Sequence, residues 1–220
     1  MKVSIVIPSF NHWDLTHQLL WSIYKKCGKL HEVILVDDAS TDKNILGGLE
    51  WWLNSSMNIP KVLVNENNLG FLLSSNRGLK EATGDVVILI STDVLLHVNI
   101  IPIIEEILLG NPKSLISGTV YRESTGWNKF GKKIFPYAEG YLLSTTKASW
   151  EELGYLDERY APNDFEDVDL STAALSKGYE LKELPADSVL HKSAQSIPYG
   201  EEREKLTKIN QEKFRKKWIK

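Results

Sequence analysis

Cysteine is almost missing from this chain: Cys27 stands alone, which excludes an intramolecular disulfide and any cysteine-based zinc site. It falls on the apolar side of an expected helix and reads as a small core residue. Net charge is also scarce, with 26 Lys and Arg against 29 Asp and Glu for a balance of −3. That excludes the basic footprint of a general nucleic-acid binder, so no nucleic acid is expected as a partner. No apolar run approaches the roughly 20 residues of a membrane span, so no transmembrane segment is expected. The opening MKVSIVIPSF is broken by Pro8 too soon for a signal peptide, and the expected location is a reducing cytoplasm. Internal repeats and low-complexity linkers are absent too. So is a glycine-rich phosphate cradle of either familiar kind. No G-x-x-x-x-G-K-S/T occurs, and PSFN follows the first expected strand where G-x-G-x-x-G would stand.

What is present is an ordinary globular composition, 42% hydrophobic and 25% charged over 220 residues, which suits one domain with a sizeable core. The first half alternates strands and helices. Strands are expected at Val3–Ile7, stopped by Pro8, and at Val33–Val36, Lys61–Val64 and Val86–Ile90. Apolar residues Leu15, Leu19, Leu20, Ile23, Tyr24 and Cys27 recur at helical spacing between the first two. A helix capped by Ser40 or Thr41 is expected to run toward Trp52, and another from Gly70 to Ala82. Such alternation implies right-handed crossovers and a mostly parallel sheet. Further on, the pattern predicts a helix at 98–109, a strand at 115–120, and an irregular loop over a site at 122–137 carrying Trp127. A helix at 166–176 with Gly178 as its C-cap follows. The charged tail, 201–220, reads as a helix docked by Leu206, Ile209, Phe214 and Trp218. Its lysines and arginines (Lys213, Arg215, Lys216, Lys217, Lys220) read as a solvated face.

In an open parallel sheet, ligands bind outside the carboxyl ends of the strands. Three of the expected strands carry polar residues there: Pro8, Ser9 and Asn11 after the first; Asp37, Asp38, Ser40 and Asp42 after the second; Ser91 and Asp93 after the fourth. Taken singly, each acid could be a turn residue or a helix cap. Convergence of all three groups is better explained by a site. Phosphates held without a glycine-rich loop usually need a divalent cation, and Mg²⁺ or Mn²⁺ takes carboxylate and phosphate oxygens. Asp93, at an exposed strand tip, suits that role.

Six segments in order give the chain a resemblance to glycosyltransferase family 2: VSIVIPSFN, EVILVDDASTD, NNLGFLLSSNRGLKEATGDVVILISTD, GYLLSTTKASWEELGYLDERY, FEDVDLSTAALSKGY and VLHKSAQS. The resemblance implies a GT-A fold, a Rossmann-like α/β domain with a small acceptor-side subregion. It implies a nucleotide-sugar half over about 1–97, an acceptor and catalytic half over about 98–200, and a charged C-terminal helix. It further implies an inverting transferase that moves a sugar from a nucleoside diphosphate sugar to a glycan or other hydroxyl acceptor, assisted by Mn²⁺ or Mg²⁺. Residue by residue, Pro8, Ser9, Asn11, Asp38, Asn76, Arg77 and Thr92 would bind the nucleotide sugar. Arg77 would meet a phosphate, and Asp38 would accept from base or ribose. Ser91–Asp93 stands at the metal-binding D-x-D position with its first acid replaced by Ser91, so Asp93 remains, and His191 matches a histidine that completes the metal site in some members. Ser196 stands at the serine of that H-x-x-x-x-S motif. In FEDVDL, Asp167 would be the general base and Glu166 would bind the acceptor hydroxyls or hold the geometry; a carboxylate at a helix start has its charged form favoured by the helix dipole.

Two other readings compete. A nucleotidyltransferase would also place acids on an α/β sheet, but it should carry a basic, glycine-rich loop near the N-terminus, unlike PSFN. A degenerate transferase that binds nucleotide or glycan without catalysis is favoured by Ser91 and opposed by the complete FEDVD and by His191. His12, His17, His31 and His97 have no comparable context.

Overall fold

The computed structural model describes residues 1–28, 30–42, 61–192 and 200–219. In chain order the elements are β1 (Val3–Ser9), α1 (Trp13–Cys27), β2 (Glu32–Asp37), β3 (Lys61–Val64), α2 (Phe71–Glu81), β4 (Val86–Ile90) and β5 (Val94–Leu96). There follow α3 (Ile101–Gly110), β6 (Ser114–Ser117), β7 (Val120–Tyr121), β8 (Lys129–Phe130), β9 (Lys133–Ile134), β10 (Tyr137–Ala138) and β11 (Leu142–Thr146). The last are α4 (Lys147–Leu153), α5 (Glu166–Ser176), β12 (Glu180–Glu183), β13 (Val189–His191) and α6 (Glu201–Trp218). The helix expected between Ser40 and Trp52 lies outside the described residues, as does Ser196.

Seven strands form one sheet in the order β12-β6-β11-β4-β1-β2-β3. The neighbours β4, β1, β2 and β3 are parallel, as are β6 and β12, and only β11 runs against its two neighbours. The expected mostly parallel α/β sheet is therefore what forms. Its central strands are apolar on both faces because helices cover both. Alternation along β1 sends Val3, Ile5 and Ile7 into the core beneath α1 and α3, while Val6 joins the core beneath α2 and α5. The chain lays β2 and β3 on one side of β1, then returns with β4 on the other. The strand order thus reverses between β1 and β4, the place where an open parallel sheet offers a crevice beyond its carboxyl ends.

Several boundaries differ from expectation. Pro8 does not stop β1; it pairs with Val36 of β2, and the pairing with β4 has already ended at Val6. The proline thus falls where β1 is bonded on one side only, where its missing N–H costs little. α3 begins at Ile101 rather than 98, since Pro102 occupies its first turn and Asn99 accepts from the Ile101 N–H. The strand expected at 115–120 is two strands, broken at Gly118, where any Cβ would lie 2.3 Å from the Tyr141 hydroxyl. The predicted loop at 122–137 contains the β8–β9 ribbon, and β7 pairs with β10. α5 closes as foreseen, with Gly178 at φ 77 and the Gly178 and Tyr179 N–H groups donating to Leu175 and Ala174. No helix among the described residues is long and apolar enough to cross a membrane.

α2 packs on β1 and β2 through Gly78, where a Cβ would sit 2.4 Å from Val6 Cγ1 and 2.9 Å from Val36 Cγ2. Gly78→Ala therefore pits a helix-propensity gain of about 1 kcal/mol against an overpacking cost of about 1–3 kcal/mol. The buried contact wins: chemical denaturation is expected to show a less stable variant, and an equal or raised midpoint would refute that packing.

Candidate active site

The peptide after β4 turns at Ser91, whose N–H donates to the Tyr141 carbonyl at 2.8 Å. The chain then runs into β5, which pairs antiparallel with β13, Val94 opposite His191. The apolar residues beyond Asp93 are thus a strand that carries the VLH segment back to it. Asp93 is 3% exposed, and its Oδ1 lies 3.6 Å from His191 Nε2. That separation is long for a hydrogen bond. It fits two ligands of one small cation, since groups each ~2.1 Å from an ion lie about 3–4 Å apart. The Tyr141 ring stacks on His191 with centroids 4.1 Å apart and fixes the imidazole plane. Among the described residues no group of three or more His, Cys, Asp or Glu gathers around one point. A cation here would therefore take much of its coordination from a ligand.

The first turn of α5, with Glu166 and Asp167, lines the same cavity of about 420 Å³ as this pair. Asp167 accepts from the Val168 N–H at 2.8 Å through Oδ1 and from the Gly140 N–H at 3.0 Å through Oδ2. Residue 140 has no side chain, which permits that approach; a Cβ there would lie 3.3 Å from Asp167 Cβ. Burial pushes the Asp167 carboxyl up to about 7, against the two N–H donors that favour its charged form. Glu166 is raised well above the usual carboxylate range, by burial first and then by the charge of Asp167. Its Oε2 is buried with no hydrogen-bond partner among the described residues. Asp164 goes the other way: burial raises it, but hydrogen bonds from Arg203 and Thr207 outweigh that and hold it ionised.

Of the residues singled out from sequence, Asp93, His191, Glu166 and Asp167 meet on this cavity, with Ser91 beside them. Pro8, Ser9, Asn11, Asp38, Asn76, Arg77 and Thr92 are not on its described wall. Five of them hold neighbouring segments instead. Ser9 Oγ meets Thr16 Oγ1 at 2.8 Å, and Asn11 Oδ1 accepts from the Thr41 and Asp42 N–H groups at 2.9 and 3.0 Å. Asp38, 3% exposed, accepts from Asn65 Nδ2 and from the Leu69 and Gly70 N–H groups at 2.7–2.8 Å. Asn76 bonds the backbone of Leu156 in both directions, and Arg77 donates to the Val64 carbonyl and Asn65 Oδ1. Thr92 is buried. The cavity also contains groups the sequence did not flag: Glu139, Tyr137, Asp164, and Arg203 with Thr207 from α6. Trp127, in the loop expected to cover a site, is half exposed at the wall. Nothing in the sequence near residue 203 pointed to a site some 40 positions earlier.

The model of the family described as "Glycosyl transferase family 2" matches residues 4–168. Among curated proteins, the Bacillus subtilis glycosyltransferase YwdF, itself uncharacterized, is 27% identical over 209 residues, 87% of this chain and 74% of its own. The undecaprenyl-phosphate 4-deoxy-4-formamido-L-arabinose transferase of Proteus mirabilis is 36% identical over 96 residues, 42% of this chain and 29% of its own. N-acetylgalactosaminyltransferase 7 of Drosophila melanogaster is 33% identical over 73 residues, 33% of this chain and 12% of its own. Two solved structures share the fold. GalNAc-T7 with UDP, GalNAc and Mn²⁺ has a TM-score of 0.74 at 18% identity over 87% of this chain and 44% of its own. The Pyrobaculum calidifontis mannosyltransferase PcManGT with GDP-Man and Mn²⁺ has 0.69 at 19% identity over 90% and 57%. The chain thus spans most of YwdF but only 12–29% of the other two curated relatives, and less than two thirds of these solved chains.

The three donors on Asp38 make it a structural clamp whatever else it does. Asp38→Ala leaves buried N–H groups without an acceptor and is expected to lower unfolding stability by about 1–3 kcal/mol in the absence of nucleotide; an unchanged denaturation midpoint would contradict the clamp. The raised carboxyl of Asp167 gives a second expectation. Its neutral form is favoured in the folded state, so the stability it contributes is full below the unfolded value of 3.8 and is lost as pH rises through about 7. In metal-free buffer the wild-type melting temperature should fall between pH 5 and 8, and fall less steeply in Asp167→Asn. Parallel slopes would remove the buried charge as the cause.

Proposed function

The chain belongs to glycosyltransferase family 2, and on that footing we propose that it moves a hexosyl or deoxyhexosyl group from a nucleoside diphosphate sugar to a hydroxyl acceptor, inverting the anomeric centre. The observation that carries this reading is the meeting of two groups on one cavity: Asp93 with His191, and Asp167 with Glu166. The donor's diphosphate belongs beside the first pair and the acceptor hydroxyl beside the second. Asp167 takes the hydroxyl proton as the acceptor oxygen bonds to the anomeric carbon, and the carbon–phosphate-oxygen bond breaks on the opposite side. Its carboxyl, poised near neutrality and held in one orientation by two N–H groups, is matched to a base working near pH 7. Glu166 orients the acceptor hydroxyls. Asp93 and His191 fit a divalent cation, Mn²⁺ or Mg²⁺, which when bound neutralises charge on the departing diphosphate. The Mn²⁺ and nucleotides in the complexes of GalNAc-T7 and PcManGT support that reading. The loops held by Asn11, Asp38, Asn76 and Arg77, together with Pro8, Ser9 and Thr92, frame the nucleoside end. A chain with one cysteine suits a reducing cytoplasm.

The sparse cation site, two protein ligands with Ser91 where a third could stand, favours a second reading, a module that binds nucleotide or glycan without turnover. A screen of UDP, dTDP and GDP sugars with Mn²⁺ and Mg²⁺ separates the two. With the donor it identifies, Asp167→Asn should bind nucleoside diphosphate as wild type does yet lose about 10²–10⁴-fold in transfer rate. Glu166→Gln should lose less. Undiminished transfer in Asp167→Asn would end this assignment, and donor binding without any wild-type turnover would favour the module.

A further inference from the structure

Asp164 and Phe165 are consecutive non-glycine residues in the left-handed region, at φ 72 and 76, directly before Glu166 and Asp167. For a bulky aromatic that conformation is a true outlier and persists only where its surroundings impose it. The surroundings are α6, far along the chain and beyond the segment that matches the family model. Arg203 grips Asp164 with Nη2 to Oδ1 at 2.8 Å and Nε to Oδ2 at 3.2 Å, and Thr207 Oγ1 donates to Oδ2 at 2.7 Å. Asn210, fully buried, places Nδ2 at 2.8–2.9 Å from the carbonyls of Tyr160, Asn163 and Asp164, so its two hydrogens are shared among three acceptors. Phe214, also fully buried, packs on the Phe165 ring with centroids 5.7 Å apart. Four successive turns of one helix thus engage the two strained residues and the turn that leads to them.

We propose that α6 is a positioning element for the transfer site, with Arg203 its key residue: by holding Asp164 and Phe165 in the left-handed region it aims Glu166 and Asp167 into the cavity at the donor. The strained pair sets the direction in which α5 starts, and so where the Asp167 oxygens stand relative to the Gly140 N–H. A shift of about 1 Å there is enough to cost on the order of 10²-fold in rate. Arg203 also lines the cavity, and its guanidinium favours the charged forms of Asp164 and Glu166.

This inference rests on the transferase reading for its kinetic consequence but not for its structural one, so two measurements test it. In the full chain, with the donor found by screening, Arg203→Ala and Thr207→Val should lower kcat, the former by on the order of 10²-fold, while donor KM stays within about threefold. Arg203→Lys, which keeps a donor but loses the bidentate grip, should recover part of the rate. Amide hydrogen exchange is read on the same variants without any substrate. The Gly140 and Asp169 amides, bonded to Asp167 and to the Phe165 carbonyl, should exchange on the order of tenfold faster in Arg203→Ala, and the sheet amides of β1 and β4 unchanged. Lys208→Ala, on the exposed face of α6, should match wild type in both. Unchanged exchange at Gly140 and Asp169 would overturn the proposal even if no donor is turned over. So would a rise in donor KM matching the fall in kcat.

Discussion

Two adjacent carboxylates, Glu166 buried and Asp167 partly buried, are drawn away from water at the first turn of α5, and much of the surrounding structure answers the cost of placing them there. Burying an unpaired charge is expensive, and a carboxyl so placed moves toward its neutral form. The fold meets part of that cost with the Val168 and Gly140 N–H groups on Asp167 and with the positive end of the α5 dipole. It leaves Glu166 Oε2 without a partner among the described residues. A buried oxygen lacking a donor on the wall of a cavity is a natural place for a ligand hydroxyl. Desolvation thus links the stability of the first turn to the chemistry proposed for it: the same burial that raises Asp167 toward neutrality makes it a usable base near pH 7.

The Asp93–His191 part of the cavity depends on strand pairing. Asp93 follows β4, deep in the sheet, but His191 reaches it only because β5 recruits β13. Those three-residue strands are too short to stand alone, and the Tyr141 ring stacked on His191 ties them to β11. The two parts also share a support. Tyr141 follows Gly140, so the turn before β11 passes the N–H that orients Asp167 and then the ring that orients His191.

The sheet was legible in the sequence because its central strands are buried on both faces and read as VSIVI, VILV and VVILI, each ended by polar residues. The helix at 166–176 and its Gly178 were legible for the same local reasons. What escaped was whatever depends on partners distant in sequence. VLL after Asp93 carries no period over three residues, and its strand partner lies almost a hundred positions on. Ile209, expected to dock the tail, is 56% exposed, while Thr207 and Asn210 are buried. Phe214 and Trp218 dock the helix as expected, but it also docks through hydrogen bonds to a strained turn that a pattern of apolar residues could not reveal. Lys213 and Lys217, expected to be solvated, reach the Arg159 carbonyl and the carboxylates of Asp157 and Asp169. The polar residues of β1, β2 and α2 were found at the right edge of the sheet. Their side chains, however, are taken up in holding loops, a distinction that residue type does not encode.

The central claim is a single displacement with Asp167 as the base and no protein nucleophile, and the anomeric centre of the product records it. The coupling constant of the anomeric proton, measured by NMR on the glycoside formed from a donor of known configuration, should report inversion. A retained configuration would contradict the account, because it would demand a second displacement through a covalent or front-face route for which these carboxylates are not assigned.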